Sequence, residues 1–103
     1  MFNQKPRTIF DGQYIKLIVY NNTFKNIIRI LISKKNVKKA VLRNRIKRII
    51  LANIKPIKKE KKQFLFKIKP EINNISKKEE ISLFLRKEIS QILKKFKQND
   101  TDL

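Results

Sequence analysis

The sequence predicts an α+β fold: a small β-β-α-β-α domain, its helices packed on one face of a short sheet and the other face left open. Three observations carry that prediction. Apolar residues alternate at period two over residues 14–20, 27–33 and 63–69, the pattern of half-buried strands. Over 37–54, and again from 76 to about 97, they repeat instead at helical spacing. Turn and breaker residues (Asp11-Gly12, Asn21-Asn22-Thr23, Pro56, Pro70) fall between these segments. At 103 residues the chain makes one domain, large enough for a core but too small to wall off a deep enzyme pocket.

Taken in order, residues 1–13 are polar and irregular, a lead-in closed by the turn at Asp11-Gly12. In the first strand Ile15, Leu17 and Val19 face a core, and Tyr14, Lys16 and Tyr20 face the other side. The second sets Ile28, Ile30 and Ile32 against Arg29, Leu31 and Ser33. The helix from Val37 to about Ile54 gathers Leu42, Ile46, Ile49 and Ile50 on one side and turns Arg43, Asn44, Lys47 and Arg48 away. Pro56 and the basic run Lys55 to Lys62 end it in a loop. In the third strand, Phe64, Phe66 and Ile68 alternate with Leu65, Lys67 and Lys69. Ser76-Lys77-Lys78-Glu79 has the form of a capping box and opens the last helix, whose core stripe is Ile81, Phe84, Leu85, Ile89, Ile92, Leu93 and Phe96. Residues 98–103 form a polar, frayed tail.

The net charge is +19. Charge of that size opposes compaction and raises affinity for polyanions, so an anionic partner stabilises the folded state. Cysteine and histidine are absent, which excludes disulfides, thiolate or zinc centres and histidine acid–base chemistry. The N-terminus carries no signal-peptide pattern and no run approaches a membrane span; the expected setting is the reducing cytoplasm.

The charge is concentrated in SKKNVKKAVLRNRIKR, Ser33 to Arg48, with eight Lys/Arg and no acid. A self-supporting surface helix balances its cations with acids four residues away; this segment does not. Ile, Lys and Asn make up nearly half the chain, an AT-rich bias against which arginine is scarce, yet three of six arginines lie between Arg43 and Arg48. A guanidinium fork grips phosphate or a base edge bidentately where lysine offers a point charge. The segment closely resembles the signature of the bacterial ribonuclease P protein component, and its K-K-N-V-K-K-A spacing before R-N-R resembles the gammaproteobacterial version.

The resemblance spans about Ile15 to Phe96 and implies an unusual left-handed strand–helix–strand crossover, against the general rule. It implies that Lys34, Lys35, Lys38, Lys39, Arg43, Arg45, Lys47 and Arg48 neutralise phosphates of the catalytic RNA, with Asn44 bonding a base or ordering the helix. It further implies that the sheet forms a cleft for the 5′ leader of precursor tRNA, with Tyr14, Lys16, Tyr20, Arg29, Lys67 and Lys69 as candidates. Aromatic rings interleaved with cations suit unpaired bases. With about eight phosphates engaged, log affinity falls against log salt with a slope of roughly −6 to −7. The chain departs from the family in two places. A Phe-rich N-terminal helix that borders the leader cleft is missing, Phe2 being at most a remnant of it, which fits a reduced gene or a start placed too far downstream. Leu51-Ala52 stands where Arg-Glu commonly follows.

Phosphodiester cleavage needs a metal clamp or an acid–base pair, and the eight carboxylates are thinly spread. No protein active site is expected. The resemblance implies the same: the RNA subunit is the catalyst, it binds the Mg²⁺, and one protein serves each RNA. A rival is a small basic ribosomal or RNA-chaperone protein with no cleavage partner. A helix-based DNA binder is disfavoured, since one helix on a sheet lacks the two-helix module and dimer seam. Membrane-surface binding is disfavoured too, since the apolar stripe is needed for the core.

Overall fold

The computed structural model describes residues 6–20 and 25–101, without the side chains of 59 and 96–101. The expected turn at Asn21-Asn22-Thr23, Phe2, and the Phe96 side chain fall outside what is described. Four strands, β1 (Arg7–Asp11), β2 (Ile15–Tyr20), β3 (Ile27–Leu31) and β4 (Gln63–Ile68), form one sheet in the order β1-β2-β4-β3. The β1/β2 and β2/β4 pairs are antiparallel, and β3/β4 is parallel. Parallel neighbours need a crossover connection. Helix α1 (Ala40–Asn53) supplies it, and α2 (Lys78–Thr101) follows the sheet.

The expected alternation holds in β2 and β4. Ile15, Leu17, Val19, Phe64, Phe66 and Ile68 are buried, and they form one cluster with Ile46 and Ile50 of α1 and Ile81, Leu85, Ile89 and Ile92 of α2. Both helices therefore cover the same face of the sheet. Ile28 and Ile30 pair with Phe64 and Phe66 and line the edge of that cluster. Two 3₁₀ turns, Lys55–Lys59 and Pro70–Asn74, occupy the positions expected as loop, and each drives an isoleucine inward, Ile57 and Ile72. Asn26 secures the first turn through its side-chain amide, donating to Ile57 O at 3.0 Å and Glu60 O at 2.7 Å.

Several boundaries differ from the sequence reading, and two strands end early, at Leu31 and Ile68 and not at Ser33 and Lys69. Residues 7–11 are a strand, not an irregular lead-in. Its pairing slips between Thr8 and Phe10, and a bulge of this kind places Ile9 and Phe10 in succession and erases the period-two signal. Helix α1 starts at Ala40 and not Val37, because Val37 is used as a plug in the core. Helix α2 starts at Lys78, with Glu79 and Glu80 in its first turn where carboxylates complement the helix dipole, and its backbone stays helical to Thr101, past the expected tail boundary.

One acid is buried among the described residues. Glu88 of α2 accepts the Tyr14 N–H at 2.9 Å on Oε2 and the Ile15 N–H at 3.1 Å on Oε1. It thereby fastens α2 to the β1–β2 turn. The fit leaves no room at Gly12, where a Cβ would come within 2.8 Å of Phe10 Cζ and closer still to Glu88 Oε1. Burial raises the Glu88 carboxyl above its ordinary range, against the Ile15 and Tyr14 N–H groups and Lys69, which pull it down.

Replacing Glu88 with Ala strands two buried N–H donors and should cost about 2–4 kcal/mol by urea denaturation. Gly12→Ala should cost about 1–3 kcal/mol by the same measurement. Because the folded chain holds the Glu88 proton more tightly than the unfolded chain, this group's contribution is full below the ordinary carboxylate range, about pH 4.3, and declines as pH rises through the raised value. Thermal melts across that range should show the wild type losing ground to Glu88→Gln with rising pH; a constant gap would contradict the assignment.

Candidate nucleic-acid interface

Two basic surfaces emerge from this packing. The first is α1 with the loop that leads into it. Ile46 and Ile50 are buried, and Leu42 and Ile49 pack beside them, as the spacing predicts. That orientation turns Asn44, Arg45, Lys47 and Arg48 outward, and all four are exposed. Val41, Asn44, Arg45 and Arg48, at i, i+3, i+4 and i+7, border one shallow concavity. Val41, 81% exposed, puts an apolar surface in the middle of the cationic face.

The loop from Ser33 to Lys39 is a built structure. Ser33 O accepts the Asn36 and Val37 N–H groups at 3.0 and 2.9 Å, and Ser33 Oγ accepts the Lys35 N–H at 3.1 Å. Val37 is buried beneath it. Lys34, Lys35, Lys38 and Lys39 are all exposed. Arg43 departs from the outward role expected of it: its side chain is half-buried and its Nη1 donates to Val37 O at 2.8 Å and Lys38 O at 2.9 Å.

The second surface is the sheet face opposite the helices. Strand register assembles it in rows: Lys16 beside Lys67 beside Leu31, Ile18 beside Leu65 beside Arg29, and Tyr20 beside Gln63 beside Ile27. Cations therefore frame an apolar centre at Ile18 and Leu65, and Leu31, 51% exposed, stands at the edge on β3. Lys16 directly opposite Lys67 is a repulsive cross-strand pair, partly offset by Asp11, which pairs with Lys16 from β1.

Two of the expected residues on this face serve elsewhere. Tyr14 precedes β2 and is 7% exposed, its ring packed at 5.6 Å from that of Phe84 on α2. Its backbone N–H is held by Glu88, which pulls the residue toward the helices, so period two extended one residue too far. Lys69 closes the end of the sheet by an ion pair with Asp11 and a 2.6 Å hydrogen bond to Gly12 O. The hydrogen bond from Lys69, with its charge and that of Lys16, holds the Asp11 carboxyl below its usual range. Tyr20, Lys16, Arg29 and Lys67 stand where the alternation places them.

The ribonuclease P family profile matches residues 2–97. The chain belongs to the ribonuclease P family. RNA binding and tRNA processing are the function of this family, its protein works within an endoribonuclease complex, and its partners are ribonuclease P RNA and precursor tRNA. The fold agrees. The Staphylococcus aureus RNase P protein superposes with a TM-score of 0.68 at 24% identity, over 86% of this chain and 79% of that one. An S. aureus RNase P protein mutant with defective mRNA degradation activity gives 0.67 at 23% identity, over 90% and 76%. No curated protein matches the chain. Among the described residues no helix is long and apolar enough to cross a membrane.

Sequence reasoning missed Glu88, and its signal was available. Ile81, Leu85, Glu88 and Ile92 follow one helical stripe, so an acid sits where an apolar residue is expected. The placement of the two tyrosines gives a direct check. Tyr14→Ala should cost about 3–5 kcal/mol of stability as a core truncation, and Tyr20→Ala should stay within about 0.5 kcal/mol; equal costs by urea denaturation would refute the assignment of the two residues to opposite sides.

Proposed function

We propose that this ribonuclease P protein divides its labour between its two basic surfaces. Helix α1 and the loop before it hold the catalytic RNA, through Lys34, Lys35, Lys38, Lys39, Arg45, Lys47 and Arg48 on phosphates and Asn44 on a base edge. The open sheet face holds the 5′ leader of precursor tRNA, through Tyr20, Lys16, Arg29 and Lys67, with Ile18, Leu65 and Leu31 as the apolar bed. The observation that carries this reading is the orientation of α1. Its apolar side is consumed by the core, so Asn44, Arg45, Lys47 and Arg48 are presented together on a rigid element.

The chemistry belongs to the RNA subunit in this reading, with Mg²⁺ bound by that RNA and one protein acting on each RNA. The protein raises affinity for leader-bearing substrate and lowers the Mg²⁺ needed, because its cations replace part of the counterion atmosphere of two polyanions brought together. The residues present fit that part: cations on fixed elements, next to a sheet surface that accepts stacked bases.

The test is 5′ cleavage of precursor tRNA by the cognate ribonuclease P RNA at low Mg²⁺, with and without the protein. Stimulation is expected. Tight RNA binding without stimulation would favour a general RNA-binding protein of ribosomal or chaperone type. With seven cations on phosphates, log affinity for the RNA should fall against log salt at a slope of about −5 to −6. The double variant Tyr20→Ala, Arg29→Ala should keep that slope yet reduce the preference for precursor over mature tRNA; equal losses on both substrates would remove the leader from the sheet face.

A further inference from the structure

The two arginines of Arg43-Asn44-Arg45 do different work in the folded chain. They lie two residues apart on α1, about 200° around the helix axis, and so cannot face the same way. Arg45 is exposed. Arg43 is turned back along the chain, with Nη1 on the carbonyls of Val37 and Lys38. Those carbonyls precede the helix, in the segment that leads into the N-cap at Lys39, where the backbone is extended with φ −81° and ψ 125°.

The start of α1 has little else to hold it. Lys39 makes no side-chain capping bond, and no acid lies in the first turn. The adjoining loop carries Lys34, Lys35, Lys38 and Lys39 without an acid among them, and four like charges so close together push the loop open. Three fastenings oppose that repulsion: the Ser33 turn, the buried Val37 side chain, and the Arg43 guanidinium. The last is the one that reaches across from the helix to the loop. Fixing the loop before the RNA arrives removes an ordering cost from binding.

We propose that Arg43 is a positioning residue, a clamp that holds the Ser33–Lys39 loop so that its four lysines form a preset phosphate-binding array, while Arg45 and Arg48 make the arginine contacts to RNA. This rests on the reading that α1 and its loop bind the catalytic RNA. Planarity explains why arginine occupies the position: one guanidinium NH₂ directs its two hydrogens to two carbonyls in a fixed plane, whereas a lysine ammonium keeps the charge without fixing the direction. Grip on phosphate through the same Nη1 would require release of the loop.

The experiment measures binding of the full chain to its cognate ribonuclease P RNA across a salt series for Arg43→Ala, Arg43→Lys, Arg45→Ala and Arg45→Lys. In parallel it follows amide hydrogen exchange at residues 35–37, whose N–H groups are held by Ser33, in the free proteins. For Arg45→Ala the salt slope should shrink by about 0.7–0.9, one phosphate contact, and Arg45→Lys should restore it. Both Arg43 variants should bind roughly three- to tenfold more weakly with the slope unchanged, the cost of ordering one or two side chains on binding. Both should also exchange faster at residues 35–37, with circular dichroism unchanged. Lysine retains the charge, so its failure to rescue at 43 separates a clamp from a phosphate contact even if the alanine variant folds poorly. Restoration of affinity by Arg43→Lys, or a slope loss in Arg43→Ala equal to that of Arg45→Ala, would overturn the clamp. If all four variants bind as wild type, the assignment of RNA to α1 fails, and faster exchange confined to the Arg43 variants would show that the fastening exists without serving RNA.

Discussion

The attachment of α2 to the β1–β2 turn through Glu88 is the constraint on which the rest of the arrangement depends. Two buried N–H groups at the start of β2 need an acceptor, since a buried donor left unpaired costs more than a hydrogen bond contributes. Glu88 supplies one carboxylate to both. That contact draws Tyr14 in among the helices, requires the bare backbone of Gly12, and sets the corner at which Lys69 meets Asp11. An isolated buried carboxylate would be expensive. Here backbone donors and a nearby lysine offset part of the cost, and the strongly positive chain supplies a favourable field for its one buried anion among the described residues.

With α2 fixed against one sheet face, the apolar supply of the chain is spent there. Phe64, Phe66 and the buried isoleucines and leucines make a single cluster between sheet and helices. What faces outward on α1 and on the uncovered sheet is then set by geometry: cations at helical spacing on one, and cations around an apolar centre on the other. Two basic surfaces thus arise from one act of packing. The same core that stabilises the fold against a net charge of +19 orients that charge for use.

The basic loop before α1 shows how far a charge run can be from a solvated tail. Its lysines stand on backbone fastened by a serine turn, a buried valine and an arginine from the next element. A backbone fixed in advance lowers the ordering cost of any contact its lysines make. This separates rigid recognition from the diffuse attraction that any chain of this charge would exert.

The sequence by itself determined the class of fold, the core faces of β2, β4, α1 and α2, the outward face at Asn44, Arg45, Lys47 and Arg48, and the family, because all of these depend on residue type and spacing within a single segment. Tertiary structure decided what depends on contacts between segments. The bulge in β1 hid a strand, the pull of Glu88 moved Tyr14 from the open face to the core, Asp11 engaged Lys69, and the carbonyls of Val37 and Lys38 turned Arg43 inward. For Tyr14, Lys69 and Arg43, a partner outside the regular repeat claimed a residue whose periodicity pointed elsewhere. Periodicity reports which way a residue faces along its own element; it does not report which hydrogen-bonding group lies waiting on the next.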